Sequence, residues 1–249
     1  MSKLSSRVKS LLGLKPTKSK RPSQEQHDFT QHERDTFRLV KPFTMTSPER
    51  IVSLVRAVEH IAKHNISGDI VECGVWKGGS VMAMLHTLTR MNVTDRKIWL
   101  FDTFEGMSSP TDLDKDPQGR LAAERLQTED KFKSNVWAYS GLEEVKLNVG
   151  KLHYPEDNIN YVVGKVEDTL PSNTVGDIAL LRLDTDWYES TKIEFEILYP
   201  KVQSGGIVIV DDYGHWEGCR RAVDEYFERN SIRVFLSRID YTARIFVKP

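Results

Sequence analysis

Ile178-Ala-Leu-Leu-Arg-Leu-Asp184-Thr-Asp186-Trp-Tyr188-Glu-Ser-Thr191 is an apolar run of strand length that stops abruptly in acids. Gly206-Ile-Val-Ile-Val-Asp211-Asp212-Tyr-Gly-His215 repeats the pattern a short distance on. In an open α/β sheet the carboxyl ends of the parallel strands meet at one edge, where such folds place their ligands. Four acids from two strands can therefore converge on one point, and carboxylates in that number suit a hard cation.

Working outward, the same logic orders the rest of the chain. Gly68-Asp-Ile-Val-Glu72-Cys-Gly74-Val-Trp-Lys-Gly78-Gly79-Ser80 reads as a strand, a glycine-rich turn and the start of a helix, and Lys97-Ile-Trp-Leu-Phe-Asp102 as a second acid-tipped strand, which makes a βαβ unit. Ile159-Asn-Tyr-Val-Val-Gly is a third strand, and a helix over 189–198 separates the two opening strands. Helices are also expected over 140–152 and 220–229. Ile232-Arg-Val-Phe-Leu and Thr242-Ala-Arg-Ile-Phe-Val are too close for a crossover helix, so they are expected to pair as an antiparallel hairpin. Upstream, the regular pattern begins at Phe43, with Thr46 or Ser47 capping a helix whose first turn holds Pro48 and whose apolar stripe is Ile51, Leu54, Val55, Val58 and Ile61. The stretch from Gly106 to about Val136 is polar and too long for an ordinary connection, so it reads as a lid over the carboxyl edge.

Composition narrows the function. With 249 residues, 39% of them hydrophobic, the chain can bury one sizeable core. A net charge of -1 argues against a general nucleic-acid surface. Cys73 and Cys219 have neither a metal-ligand spacing nor the density of a disulfide scaffold, which fits a reduced cytoplasmic protein. Residues 1–26 differ: Lys3, Arg7, Lys9, Lys15, Lys18, Lys20 and Arg21 face only Glu25, the composition of a flexible basic arm. Leu4, Val8, Leu11 and Leu12 recur at helical spacing, which leaves open an amphipathic contact with the inner face of a membrane. The expected organisation is this arm followed by a single domain over 27–249.

The chemistry lies at the strand tips. Gly74, Gly78 and Gly79 let backbone approach a ligand, although a tight turn needs glycine without one. Asp102, at the tip of the second strand, is placed to accept the hydroxyls of a ribose, so the pair points to a nucleoside-bearing cofactor. Asp184, Asp211 and Asp212 are oxygen ligands for Mg²⁺, Ca²⁺ or Mn²⁺; any one could instead cap a helix, but together they demand a counter-charge. Asp186 can stay off the metal as a base, and His215 is a second candidate. Tyr188 and Lys192 have the spacing of a short-chain dehydrogenase pair, behind a glycine turn of the wrong pattern. Trp76, Phe104, Trp187, Tyr188, Tyr213 and Trp216 crowd the same strand ends, where they can pack on a ring or simply on the core.

From Phe43 to its end the chain resembles the macrocin O-methyltransferase (TylF-type) family of class I S-adenosylmethionine-dependent methyltransferases. The resemblance is carried by the glycine turn of residues 68–80, Phe101-Asp-Thr-Phe-Glu-Gly-Met, Glu167-Asp-Thr-Leu-Pro171, Leu183-Asp-Thr-Asp-Trp-Tyr-Glu-Ser-Thr and Val210-Asp-Asp-Tyr-Gly. It implies a Rossmann-like α/β fold: a seven-stranded, mostly parallel sheet with an antiparallel C-terminal hairpin and helices on both faces. It implies Mg²⁺-dependent transfer of a methyl group from S-adenosylmethionine to a sugar hydroxyl of a glycosylated natural product or surface glycan. Residue by residue, Glu72, Gly74 and Ser80 would border the methionine and ribose, Asp102 would bind the ribose hydroxyls with Thr103 and Phe104 beside it, and Asp168 with its neighbours would lie near the adenine. Met45 and Thr46 would close over the cofactor. Asp184, Asp211 and Asp212 would hold Mg²⁺, with Asp186 as base. No nucleic-acid partner is implied, and a homo-oligomer stays open. The competing readings are an NAD(P)-dependent oxidoreductase and a non-catalytic scaffold of the same fold.

Overall fold

The computed structural model describes residues 28–249. Residues 32–249 form one compact unit, and the basic arm lies outside the described residues. A helix that the sequence pattern gave no reason to expect, α1 (Gln31–Val40), precedes the expected start. In α2 (Pro48–Lys63) Ser47 is the cap: its side chain accepts the Arg50 N–H at 3.2 Å, and the expected apolar stripe is buried. Strands β1 (Asp69–Cys73) and β2 (Ile98–Asp102) flank α3 (Gly79–Arg90). The lid contains α4 (Ala122–Thr128), and α5 (Leu142–Gly150) leads into β3 (Ile159–Val163). Then follow α6 (Val166–Thr169), β4 (Ile178–Leu183), α7 (Tyr188–Ile197), β5 (Val202–Val210) and α8 (Glu217–Arg229). Strands β6 (Ser237–Arg238) and β7 (Arg244–Val247) end the chain.

The sheet runs β3-β2-β1-β4-β5-β7-β6, its first five strands parallel and its last two antiparallel. Successive strand residues point to opposite faces, and the core divides accordingly. Ile70, Leu180, Ile207 and Ile209 pack with the stripes of α2 and α3, while Val71, Leu181, Val208 and Val210 pack with Phe195 of α7 and Val223 of α8. Each fully buried aliphatic contributes about 1.5–3 kcal/mol, so helices on both faces are held by burial. The order reverses at β1, whose neighbours are β2 and β4. That reversal is where α/β sheets open a crevice at their carboxyl edge.

One expected strand fails. Ile232–Leu236 does alternate inward and outward, with Ile232, Val234 and Leu236 against the core and Phe235 88% exposed, but it pairs with no strand. The hairpin partner of β7 is Ser237–Arg238 instead. The turn fixes this register: Asp240 Oδ1 accepts the N–H groups of Thr242 and Ala243, so only the residues just before it can face β7.

Candidate active site

The glycine turn is built from backbone contacts. Gly74 leaves β1 at φ +80°, and a Cβ there would meet the Asp184 carbonyl oxygen at 2.1 Å, so the β1 and β4 exits touch main chain to main chain. Asp102 ties the turn to the next one. Its Oδ2 accepts Val75 N–H at 2.6 Å and Trp76 N–H at 3.2 Å, and its Oδ1 accepts Phe104 N–H at 2.6 Å. Trp76 and Phe104 both have positive φ, and these bonds hold them there. Burial pushes the Asp102 carboxyl up, against the pull of the three amides.

Behind the strand tips runs a buried charge network. The Arg182 guanidinium, on β4, meets Glu72 Oε1 at 2.6 Å, Asp184 Oδ2 at 2.8 Å and Asp211 Oδ1 at 2.7 Å. Asp211 Oδ2 pairs with Arg50, which reaches Asp240 at 3.0 Å, and Asp240 accepts the Ser47 hydroxyl at 2.7 Å. The network therefore crosses from β1 to the C-terminal hairpin. Glu72, 1% exposed, ends it with an Oε2 that has no hydrogen-bond partner among the described residues, and the side chain lines the crevice. Burial raises the Glu72 pKa to about 7 despite Arg182.

Three acids meet at the crevice floor. Asp184, Asp186 and Asp212 each offer an oxygen within 4.8 Å of the others. Asp211 lines the same cavity but is not one of the three, since each of its oxygens is on an arginine. Burial, then the charges of Asp186 and Asp211, drives Asp212 well above its usual range; burial also raises Asp184, against Arg182. Asp186, at φ +71°, is raised to about 7 by burial and Asp184, and its Oδ2 accepts the Trp216 indole N–H at 3.0 Å. Thr185, between them, donates to Glu194 Oε1 at 2.9 Å. Glu194 is fully buried, and that burial pushes its carboxyl well above the usual carboxylate range.

The cavity over this floor has a volume of about 470 Å³. One side is walled by Met45, Thr46, Glu72, Gly74, Ser80, Asp102 and Thr103, all named from sequence. Phe104 is absent from the wall; its ring is 4% exposed in the core. Asp168 is exposed and off the wall, which its neighbours Lys165, Val166 and Glu167 line instead. The other side is formed by the lid, through Met107, Arg125, Asn135 and Val136, and by His215, Trp216 and Tyr241. His215 Nδ1 lies 3.2 Å from the Tyr241 hydroxyl, and burial lowers its pKa. Tyr188 and Lys192 lie outside the cavity: the Tyr188 hydroxyl donates to Glu225 at 2.7 Å. Sequence reasoning missed Arg182, Arg50, Glu194 and Arg125. Only Arg182 carried a signal, as a lone charge inside an apolar strand that must find buried partners.

A family model described as macrocin-O-methyltransferase (TylF) matches residues 5–248, reaching far upstream of the Phe43 at which the motif resemblance began. The demethyldecarbamoylnovobiocin O-methyltransferase of Streptomyces niveus is 36% identical over 197 residues, 79% of this chain and 72% of that protein. An 8-demethyl-8-(2,3-dimethoxy-alpha-L-rhamnosyl)-tetracenomycin-C 4'-O-methyltransferase of Streptomyces olivaceus is 36% identical over 200 residues, 80% of this chain and 73% of its own. Among solved structures, the O-methyltransferase NovP superposes with a TM-score of 0.71 at 34% identity, covering 83% of this chain and 82% of its own.

Proposed function

The chain belongs to the macrocin-O-methyltransferase (TylF) family of S-adenosylmethionine-dependent O-methyltransferases, and from that premise we propose that it methylates a sugar hydroxyl of a glycosylated natural product or surface glycan in a Mg²⁺-dependent reaction. The observation that carries this reading is one cavity shared by the glycine turn and the acid floor. On the donor side, the unpartnered Oε2 of Glu72 is left to accept from the cofactor's methionine ammonium, with Ser80 beside it. Asp102 Oδ1 carries a single backbone donor and keeps a lone pair for a ribose hydroxyl. Met45 and Thr46 close the same wall, and Lys165 to Glu167 take the adenine end.

The donor set of the floor fits a hard cation: oxygen ligands only, with Asp212 lacking any ion pair among the described residues and both Asp184 and Asp212 destabilised in their charged forms. Asp184 and Asp212 would hold Mg²⁺, while Asp211, also expected as a ligand, is engaged by Arg50 and Arg182 instead. When bound, Mg²⁺ supplies positive charge beside the acceptor oxygen. Asp186, fixed by Trp216, takes the proton. The walls align hydroxyl, methyl carbon and sulfur, an alignment worth roughly 7–11 kcal/mol. The lid chooses the acceptor. Excess chelator, or Asp184→Ala, is expected to abolish turnover while calorimetry shows S-adenosylhomocysteine binding intact. Full turnover in chelator would remove the cation from the reaction.

A further inference from the structure

Arg125, on lid helix α4, is the cation that the site does not use. It is half-buried on the acceptor wall, and its side chain makes no hydrogen bond or ion pair among the described residues. The other arginine of the cavity, Arg50, is ion-paired with Asp211 and Asp240, and Lys165 stands on the cofactor side. Arg125 lies over Trp216, its Cζ 5.9 Å from the ring centroid, and the N–H of that indole donates to Asp186. The five N–H donors of Arg125 have no hydrogen-bond acceptor among the described residues, and the indole it lies over is the one bound to the acid floor. Trp216 meets only the face of the half-buried guanidinium and leaves its in-plane N–H donors unused, so the wall is built for a group that arrives with the acceptor. The neighbouring His215 has its pKa lowered by burial and by the charge of Arg125, which places the two side chains close together on this wall.

We propose that Arg125 is a specificity residue: the acceptor carries an anionic oxygen group, a phosphate or a carboxylate, which Arg125 clamps across Trp216 while the sugar hydroxyl lies at Asp186. The proposal rests on the methyl-transfer reading of the cavity. The anion could be the diphosphate of an activated sugar or an acidic aglycone. Two probes separate these sources: thymidine diphosphate, and 4-(α-L-rhamnosyloxy)benzoate. Each is titrated calorimetrically into the full-length enzyme saturated with S-adenosylhomocysteine, in metal-depleted buffer at fixed salt. Saturable binding of at least one probe is expected, weakened about tenfold or more in Arg125→Gln and Arg125→Met and unchanged in Lys133→Gln, an exposed cation of the same lid. Arg125→Met keeps the hydrophobic cover on Trp216, so a role in packing alone would leave its binding intact. Binding of neither probe, or binding kept in full by both Arg125 variants, overturns the proposal. Absence of S-adenosylhomocysteine binding in the wild type would instead remove the methyl-transfer reading.

Discussion

Arg182 sits inside β4 with its guanidinium divided among Glu72, Asp184 and Asp211, so removing it leaves buried Glu72 with no cation and Asp211 with Arg50 alone. Arg182→Met is expected to lower stability by about 3–5 kcal/mol, read from urea denaturation; a variant as stable as wild type would show that the network is dispensable. The acids of this site were legible because each ends an apolar run, and a strand tip at the carboxyl edge can only face the crevice. Their division of labour was not legible. Asp211 and Asp212 are adjacent in sequence, yet successive residues point opposite ways, and only three-dimensional placement shows that one meets arginines and the other the floor. Arg125 was invisible for a related reason: a cation in a polar insertion looks like any surface cation until its missing partner can be seen.

The lid is pinned at its base. Asp114, fully buried, accepts the Tyr188 N–H at 2.7 Å and so caps α7 from outside that helix. Trp187 Nε1 donates to Ser108 O at 3.1 Å, and Glu217 N–H, opening α8, donates to Lys115 O at 3.0 Å. Asp114→Ala is expected to cost about 1–3 kcal/mol, to expose the lid to limited proteolysis, and to raise the acceptor KM while leaving S-adenosylhomocysteine affinity unchanged. No periodicity announces such a strap, because its order comes from single polar contacts to distant helices. Helix α1 escaped notice similarly. His32 on it and His86 on α3 share Thr36, whose hydroxyl is 3.5 and 2.9 Å from their Nδ1 atoms. Burial lowers both pKa values from 6.5, so the unfolded chain binds more protons than the folded one. Their contribution is complete above about pH 6.5 and is lost as pH falls through the lowered values. The melting temperature should therefore drop below pH 6.5, and His86→Asn should flatten that slope; an unchanged slope would place the pH dependence elsewhere.

At the scale of the molecule, the parallel order with its antiparallel edge follows from acid-tipped apolar runs and from two terminal segments too close for a crossover. The exact hairpin register did not follow, since Ile232–Leu236 has the periodicity of a strand without a neighbour to pair with. A thermal-shift comparison of S-adenosylhomocysteine, NAD⁺ and NADP⁺ addresses the whole fold: only the first is expected to stabilise it, and a comparable shift with either dinucleotide would revive the oxidoreductase reading. The contact between Gly74 and the Asp184 carbonyl has a longer reach. It sets donor half and acceptor half at a fixed spacing through the main chain, which side-chain replacement cannot alter. Lineages can therefore remodel the lid toward new acceptors without recalibrating the methyl's line of flight, and laboratory evolution can do the same if it leaves that one glycine alone.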